Sequence, residues 1–240
     1  MVNHYFVFDG KMSINYGVRI TKPSILDAPA PRVTVQQIPG RSGDLVIPDG
    51  GYENAAVSYN CFLKAPAPEK LPEYAGKIKA WLLSTPGEYK RLEDSYDPEY
   101  FRYAYFNGAL AIERQAKRFG VFDVVFACKP FRYRKDGQKA EEIEKGSAIY
   151  NPEEYPADPY IKITGNGNIR ITIGSDSWDF SDVDEYIEID CESKNAYKEY
   201  QPQNTKMSGE GFPKLEPGKN NITWTGNVQK VEIIPRWCAL

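Results

Sequence analysis

The segment FGVFDVVFAC, residues 119–128, places a large apolar side chain at nearly every second position. Phe122, Val124, Phe126 and Cys128 share one side of an extended chain, because successive side chains of a strand point to opposite faces. The segment therefore predicts a β-strand that turns one face toward a hydrophobic core.

The same alternation occurs upstream, where Phe101, Tyr103 and Tyr105 lead to the dipeptide Asn107-Gly108. Asn-Gly between alternating segments is the strongest short-range hairpin signal, and it favours a type I′ turn in which both residues have positive φ. The alternation resumes after the dipeptide, so a hairpin is predicted here. Further strand-like segments are residues 33–35, 45–47 and 56–63, with a turn predicted at 48–51.

A single helix is predicted between these strands. Leu71, Ile78, Trp81 and Leu82 recur with helical spacing and form one apolar stripe. Pro72 fits the first turn, where a missing N–H costs little, and Pro-Gly at 86–87 ends the helix. We expect the stripe to pack against a sheet.

The pattern changes at residues 134–150, which are charged and nearly free of large apolar groups. They predict a linker or an exposed hairpin between an N-terminal domain, residues 1–133, and a C-terminal domain, residues 151–240. In the second domain, residues 160–164 and 169–173 flank GNGN and predict a tight hairpin. Short strands at 186–190, 221–225 and 228–234, with no helix evident after 150, indicate an all-β sandwich.

Composition and charge exclude several classes of protein. The formal net charge of −3 is too small to indicate nucleic-acid or membrane binding by the whole chain, although residues 1–150 carry +3 and residues 151–240 carry −6. No apolar stretch is long enough for membrane insertion, and the apolar run at residues 5–8 is too short for a signal peptide. The four cysteines are far apart and favour reduced packing residues over a zinc site.

Few residues point to catalysis. His4 is the sole histidine and lies beside the N-terminus, so a His-dependent nucleophilic or metal site is disfavoured. We expect no catalytic residue, no cofactor and no metal. Calcium remains an alternative for the acidic stretch 176–190, whose spacing does not match an EF-hand, and a solvated strand face is favoured.

Binding of sugars or DNA also has candidate residues. Trp178, Trp224 and Trp237 could stack on sugar rings, although core packing is favoured. The basic residues between 114 and 135 could face DNA, but their aromatic neighbours alternate as a buried strand face rather than as stacking platforms. GRSGD at residues 40–44 lacks the spacing of a phosphate-binding loop and favours a tight loop at an interface.

Several short segments in a fixed order carry a family resemblance. They are IPGRSGDL (38–45), DPEYFRYA (97–104), ACKPFRY (127–133), NP (151–152), ADP (157–159), GFPKL (211–215) and NITW (221–224). This set resembles the distal tail protein family of long-tailed bacteriophages and prophages of Gram-positive hosts. The resemblance implies a mainly β fold: an N-terminal β-barrel or sandwich with one α-helix and an extended hairpin, then a galectin-like β-sandwich.

The resemblance also implies a function. Such a protein is a structural component of the virion at the tail tip, assembled in the host cytoplasm and not an enzyme. It forms a homo-hexameric ring, the distal tail hub of the baseplate, that joins the tail tube to the host-attachment apparatus. Its implied partners are further copies of itself, the major tail tube protein, a tail-associated hub protein and a receptor-binding protein, with DNA only passing through the lumen.

The candidate assembly interface follows from both lines of reasoning. Its residues come from the tight loop and from the predicted hairpin arm: Arg41, Ser42, Asp44, Tyr103, Tyr105, Asn107 and Gly108. Two alternatives stay open. One is a lectin-like carbohydrate-binding module for host cell-wall glycan, and the other is a carboxylate-dependent hydrolase.

Overall fold

A computed structural model describes residues 4–240. These residues form a mainly β structure with one α-helix. The chain divides into two compact units. The first runs to Arg132 and includes Leu240, and the second is Tyr133–Ala239. Each unit has its own hydrophobic core.

The first unit contains ten strands and the helix. They are β1 (Phe6–Phe8), β2 (Lys11–Met12), β3 (Val18–Ser24), β4 (Pro31–Gln36), β5 (Leu45–Tyr52), β6 (Ala55–Lys64), α1 (Leu71–Leu82), β7 (Lys90–Asp94), β8 (Tyr100–Phe106), β9 (Glu113–Ala116) and β10 (Phe119–Arg134). The main sheet has the order β2-β1-β7-β8-β10-β6-β3, and β9 pairs with the start of β10. The ribbon β4–β5 forms a separate two-stranded sheet.

The predicted strand at residues 119–128 is confirmed as the first part of β10. It pairs antiparallel with β6 over its whole length, from Phe119 opposite Lys64 to Cys128 opposite Ala55. The even-numbered apolar residues from Phe122 to Cys128 are buried, as the alternation predicts. The core thus lies on one face of the pair β6–β10.

The helix prediction is also confirmed, since α1 buries Leu71, Ile78, Trp81 and Leu82. The Trp81 ring stacks on Phe6 at 5.5 Å between centroids, and its Nε1–H donates to the Phe8 carbonyl oxygen at 3.2 Å. These contacts fix α1 over the sheet. The Ile20 N–H of β3, at one end of the strand order, donates to the carbonyl oxygen of His4, which precedes β1 near the other end. The two ends of the sheet therefore approach each other.

The second unit is a β-sandwich. Its strands are β11 (Glu141–Ile143), β12 (Ala148–Asn151), β13 (Tyr160–Ile173), β14 (Asp176–Val183), β15 (Tyr186–Asp190), β16 (Asn195–Lys198), β17 (Gln201–Pro202), β18 (Met207–Ser208) and β19 (Gly218–Ile234). The short strand β20 (Cys238–Ala239) follows the sandwich in the chain. Residues 4–240 also contain four short 3₁₀ segments: Ser13–Tyr16 and Pro68–Lys70 in the first unit, and Asp136–Gln138 and Asn204–Lys206 in the second.

The long strands β13 and β19 organise this unit. The first half of β13 pairs with β15 and the second half with β14, while β19 accompanies both halves. The register shifts where the halves meet, beside Gly165 and Gly226. A Cβ on either glycine would overlap a backbone carbonyl oxygen of the opposite strand, so only glycine lets the two strands approach this closely.

Two predictions about this region are wrong. Residues 165–168 are not a tight hairpin, because both flanking segments belong to one strand that shares its partner β19. Residues 134–150 are not a linker or an exposed hairpin either. They supply β11 and most of β12, which pair with separate parts of β19. Their few apolar residues are enough to attach both strands to the core, since Ile143 and Ile149 are both buried.

The hairpin predicted around Asn107-Gly108 is also wrong. The preceding strand β8 pairs with β7 and β10, and β9 pairs with β10 rather than with β8. Neither Asn107 nor Gly108 has positive φ. The extended hairpin of this unit is instead the ribbon β4–β5, and the predicted turn at residues 48–51 lies within β5. In the described residues no helix has the length and apolar character needed to cross a bilayer.

Candidate assembly surface

The ribbon β4–β5 exposes most of its length. Its register places Val33 opposite Pro48 and Val35 opposite Val46. Directly opposed residues lie on the same face, so these four apolar side chains form one face of the ribbon. Val35 is 54% exposed and Val46 is 56% exposed. We call Val33, Val35, Val46 and Pro48 the apolar ribbon face.

The opposite face of the ribbon is mixed. Thr34 lies opposite Ile47, and the Thr34 hydroxyl donates to the Asp49 carboxylate at 3.2 Å. Gln36 lies opposite Leu45. A two-stranded hairpin is marginally stable alone in water, and both outer edges of such a ribbon carry unpaired backbone groups. The ribbon is thus suited to bind another strand or another apolar surface.

The base of the ribbon is anchored to the first unit. The Glu53 N–H donates to the Ala30 carbonyl oxygen at 2.8 Å, and Arg32 pairs with the Glu53 carboxylate at 3.1 Å. The Tyr52 ring meets Phe131 edge-on at 5.8 Å. Eight residues of β5 extend about 25 Å at about 3.3 Å per residue, so the tip lies far from this base.

The tip contains the loop singled out in the sequence. Gly40 and Gly43 have φ of +79° and +83°, and a Cβ at either would meet open space. These glycines are therefore required by the backbone conformation rather than by crowding. Arg41, Ser42 and Asp44 are all exposed in this loop. The structure places the three residues at the far end of the ribbon.

The other predicted interface residues lie on and after β8. Tyr105 contacts Tyr89 edge-on at 5.3 Å, and Lys129 lies over the Tyr103 ring at 5.2 Å. Asn54, two residues after β5, donates to the Tyr89 hydroxyl at 2.6 Å. The half-buried tyrosines therefore belong to the surface at the ribbon base, whereas Arg41, Ser42 and Asp44 belong to its tip.

Asn107 and Gly108 lie beyond the end of β8 and are both exposed. The seven predicted residues thus occupy different parts of the first unit. The apolar ribbon face was missed in the sequence, although Val33-Thr34-Val35 alternates as a strand. The sequence does not show that neither face of this hairpin packs against a hydrophobic core.

The histidine and the cysteines have structural surroundings. His4 stacks on Tyr96 at 4.0 Å between ring centroids, and its Nδ1 lies 3.2 Å from the Ser95 hydroxyl. All four cysteines are buried as free thiols, and burial raises the pKa of Cys61 and Cys128 to about 12. Residues 4–240 contain no cluster of three or more His, Cys, Asp or Glu side chains with metal-binding geometry.

Several carboxylates of the acidic stretch 176–190 form ion pairs with basic side chains. Arg170 forms a bidentate salt bridge with Asp179, in which two guanidinium nitrogens donate to the two carboxylate oxygens at 2.6 and 2.7 Å. The Lys198 ammonium lies 3.0 Å from the Asp184 carboxylate and 3.1 Å from that of Glu185. An ammonium group thus already occupies the space between these two carboxylates.

The tryptophans of the second unit are not arranged as a sugar-stacking platform. Trp178 and Trp237 are buried, and the Trp178 Nε1–H donates to the Gly211 carbonyl oxygen at 3.1 Å. Trp224 is partly buried and packs against the same core. Core packing therefore accounts for all three rings.

Comparison with solved structures identifies the fold. The Dit (gp 19.1) protein of phage SPP1, described as a paradigm of the hub adsorption apparatus in phages that infect Gram-positive bacteria, matches with a TM-score of 0.74 at 10% sequence identity. The match covers 99% of both chains. A chain of the phage P2 baseplate in its activated conformation with Ca matches at a TM-score of 0.49 and 13% identity, over 97% of each chain.

No protein-family model matches the sequence, and no curated protein matches it significantly. At 10% identity, the likeness to SPP1 Dit establishes that the two proteins share a fold over their whole length. This likeness confirms the predicted fold class, which is mainly β with one α-helix.

Proposed function

We propose that this chain is a structural protein of a phage tail, namely the distal hub that forms a ring at the tail tip. The observation that carries the proposal is the full-length likeness to SPP1 Dit, which spans both units. The residue segments that resemble the distal tail protein family support the same assignment. A Gram-positive host is proposed because the SPP1 protein is described in those terms.

The exposed ribbon supports an assembly role in physical terms. A ring requires heterologous contacts, in which one patch of each subunit meets a different patch of the next. The unpaired edges of β4 and β5 can add to a neighbouring sheet, and the apolar ribbon face gains stability when it is covered. We propose that the ribbon of one copy binds the first unit of the next copy.

The finer parts of the proposal concern stoichiometry and partners. We propose six copies per ring, formed by residues 1–133, with the C-terminal sandwich directed to other tail components. The ring would join the tail tube protein to a tail-associated hub protein and a receptor-binding protein, and DNA would pass through its lumen. The protein would act as a virion component without enzymatic activity.

The ribbon provides a test of this proposal. Valine burial contributes about 1.5 kcal/mol in full, so covering a half-exposed valine contributes about 0.8 kcal/mol, and a buried unpaired carboxylate costs several kcal/mol more. A variant with Val35→Glu and Val46→Glu should therefore lose ring formation, as measured by native mass spectrometry over a range of concentrations. The rest of the first unit should still fold, because Val35 and Val46 lie outside its core, whereas the two carboxylates on directly opposed residues repel each other within the ribbon.

Tyr200→Glu provides a control away from the ribbon. Tyr200 is 97% exposed and lies in the second unit, so the variant adds a carboxylate without touching the ribbon. It should form rings like the wild type. A wild-type protein that stays monomeric at every concentration and fails to restore tails in a phage lacking this gene would refute the proposal. Equal ring formation by the ribbon variant would refute the role of the ribbon alone.

A further inference from the structure

The chain contains two Asn-Gly dipeptides, Asn107-Gly108 and Asn166-Gly167. Asn followed by Gly is intrinsically prone to cyclise, because glycine lacks the Cβ that would hinder approach of its backbone nitrogen to the Asn side chain. The reaction also requires local freedom of the backbone. The two dipeptides differ in this freedom.

Asn107 lies in an exposed stretch without regular structure. Only its backbone N–H is tethered, through a bond to the Val125 carbonyl oxygen at 2.9 Å. Within residues 4–240 the Asn107 side chain has no hydrogen-bond partner, and the next strand begins only at Glu113. A Cβ placed on Gly108 would meet nothing within 4 Å. The dipeptide can therefore change its backbone conformation without breaking a strand.

Asn166 lies within the long strand β13. Its side-chain oxygen accepts from the Glu185 N–H at 3.1 Å, and its neighbour Gly167 pairs with Val183 of β14. Asn166 itself lies opposite Asn227 of β19. Rotation of this backbone would require local opening of strands on both sides of β13, which carries a free-energy cost.

We propose that Asn107 is a site of spontaneous covalent modification, at which the side-chain amide is converted to aspartate and isoaspartate while Asn166 is protected. The Gly108 backbone nitrogen attacks Cγ of Asn107 and forms a C–N bond. The Cγ–Nδ2 bond breaks, and the amide leaves as ammonia with the proton from the Gly108 nitrogen. Water then opens the cyclic imide at either carbonyl, giving aspartate or isoaspartate.

The modification changes the electrostatics of the first unit. Residues 107–112, NGALAI, contain no ionisable side chain, so the product introduces the first charge in this segment. The isoaspartate product also inserts an extra backbone atom. A surface that is neutral and apolar in the new protein would thus become acidic with age, independently of any enzyme.

The folded full-length chain is incubated at neutral pH and sampled over time. Peptide mass spectrometry then measures the fraction of each Asn side chain that has been converted from amide to carboxylate. An isoaspartate-specific assay identifies the rearranged product. Asn107 should convert at least about tenfold faster than Asn166, since the second site must open its strands first. In the urea-denatured chain, the two sites should convert at similar rates.

Gly108→Ala is a clean control. Gly108 does not have positive φ, and the added methyl group meets open space, so the variant should fold normally. It should lose most of the conversion at Asn107 and keep the rate at Asn166 unchanged. Equal rates at the two dipeptides in the folded wild type, or no conversion at Asn107 over a period in which the denatured chain converts, would overturn the proposal.

Discussion

Gly226→Ala should destabilise the second unit much more than another glycine substitution at positive φ. Gly226 has φ of +96°, and a Cβ there would overlap the Asn168 carbonyl oxygen and crowd the Ile169 Cα. Gly167, in the paired strand, has φ of +78°, but a Cβ on it would meet nothing within 4 Å. Both substitutions strain the backbone, whereas only Gly226→Ala also forces two strands apart.

The structure sets the size of the difference. Backbone strain at positive φ costs about 1 kcal/mol in each variant, and the steric overlap adds about 2 kcal/mol in Gly226→Ala. For a unit of this size, 1 kcal/mol corresponds to a Tm shift of about 4–8 °C. Gly167→Ala should therefore lose roughly 4–8 °C and Gly226→Ala roughly 12–24 °C.

Thermal unfolding followed by circular dichroism and tryptophan fluorescence measures these shifts. Three of the four tryptophans belong to the second unit, so fluorescence reports mainly on that unit. If the Tm fell by the same amount in both variants, the close approach of β13 and β19 at Gly226 would not require glycine. Our explanation of the register shift between these strands would then be wrong.

Two further predictions concern charge and exposure. Burial raises the pKa of Asp190, but the hydrogen bonds and charge of Arg236 outweigh it, so the pKa lies below its usual 3.8. This lowered pKa stabilises the folded protein fully at pH values above the pKa that Asp190 has in the unfolded chain. The stabilisation is lost as the pH falls through the pKa that Asp190 has in the folded protein. In Arg236→Gln, NMR titration of the carboxyl should show a higher pKa for Asp190, and an unchanged value would contradict the ion pair. Brief trypsin treatment should cut first after Arg41 at the exposed ribbon tip, and a first cut between residues 134 and 150 would contradict the strands β11 and β12.

The local periodicity of the sequence predicted the elements that have one buried face. The strand β10, the helix α1 and the strand at Tyr186–Asp190 were found because the spacing of their apolar residues reports directly on burial. The predicted sandwich class followed from the same short, regularly spaced strands.

Strand pairing was predicted less well, because it depends on partners distant in the sequence. The Asn107-Gly108 signal failed since β8 finds its partners in β7 and β10, which leaves no free edge for a local hairpin. The glycines at residues 165 and 167 resemble turn residues in the sequence, but they lie where the pairing of β13 with its partner strands shifts register. Such positions satisfy local turn chemistry and are decided by tertiary contacts.

The assembly role of the candidate residues stays a prediction, and the structure shows only where they lie. The loop containing Arg41, Ser42 and Asp44 is exposed as expected, whereas the arm that carries it is β4–β5. The alternation in β4 normally indicates a half-buried strand. The sequence alone does not predict that this face is exposed, because the ribbon forms a separate sheet and contributes no residue to either core.

The central claim, that this chain is the distal hub of a phage tail, is tested most directly by locating the protein on the virion. Antibodies against the second unit, labelled with gold, would be applied to intact particles and viewed by electron microscopy. The proposed function predicts label confined to the tail tip, at the end opposite the capsid. Label along the tail tube, on the capsid, or absent from particles that carry complete tails would contradict it.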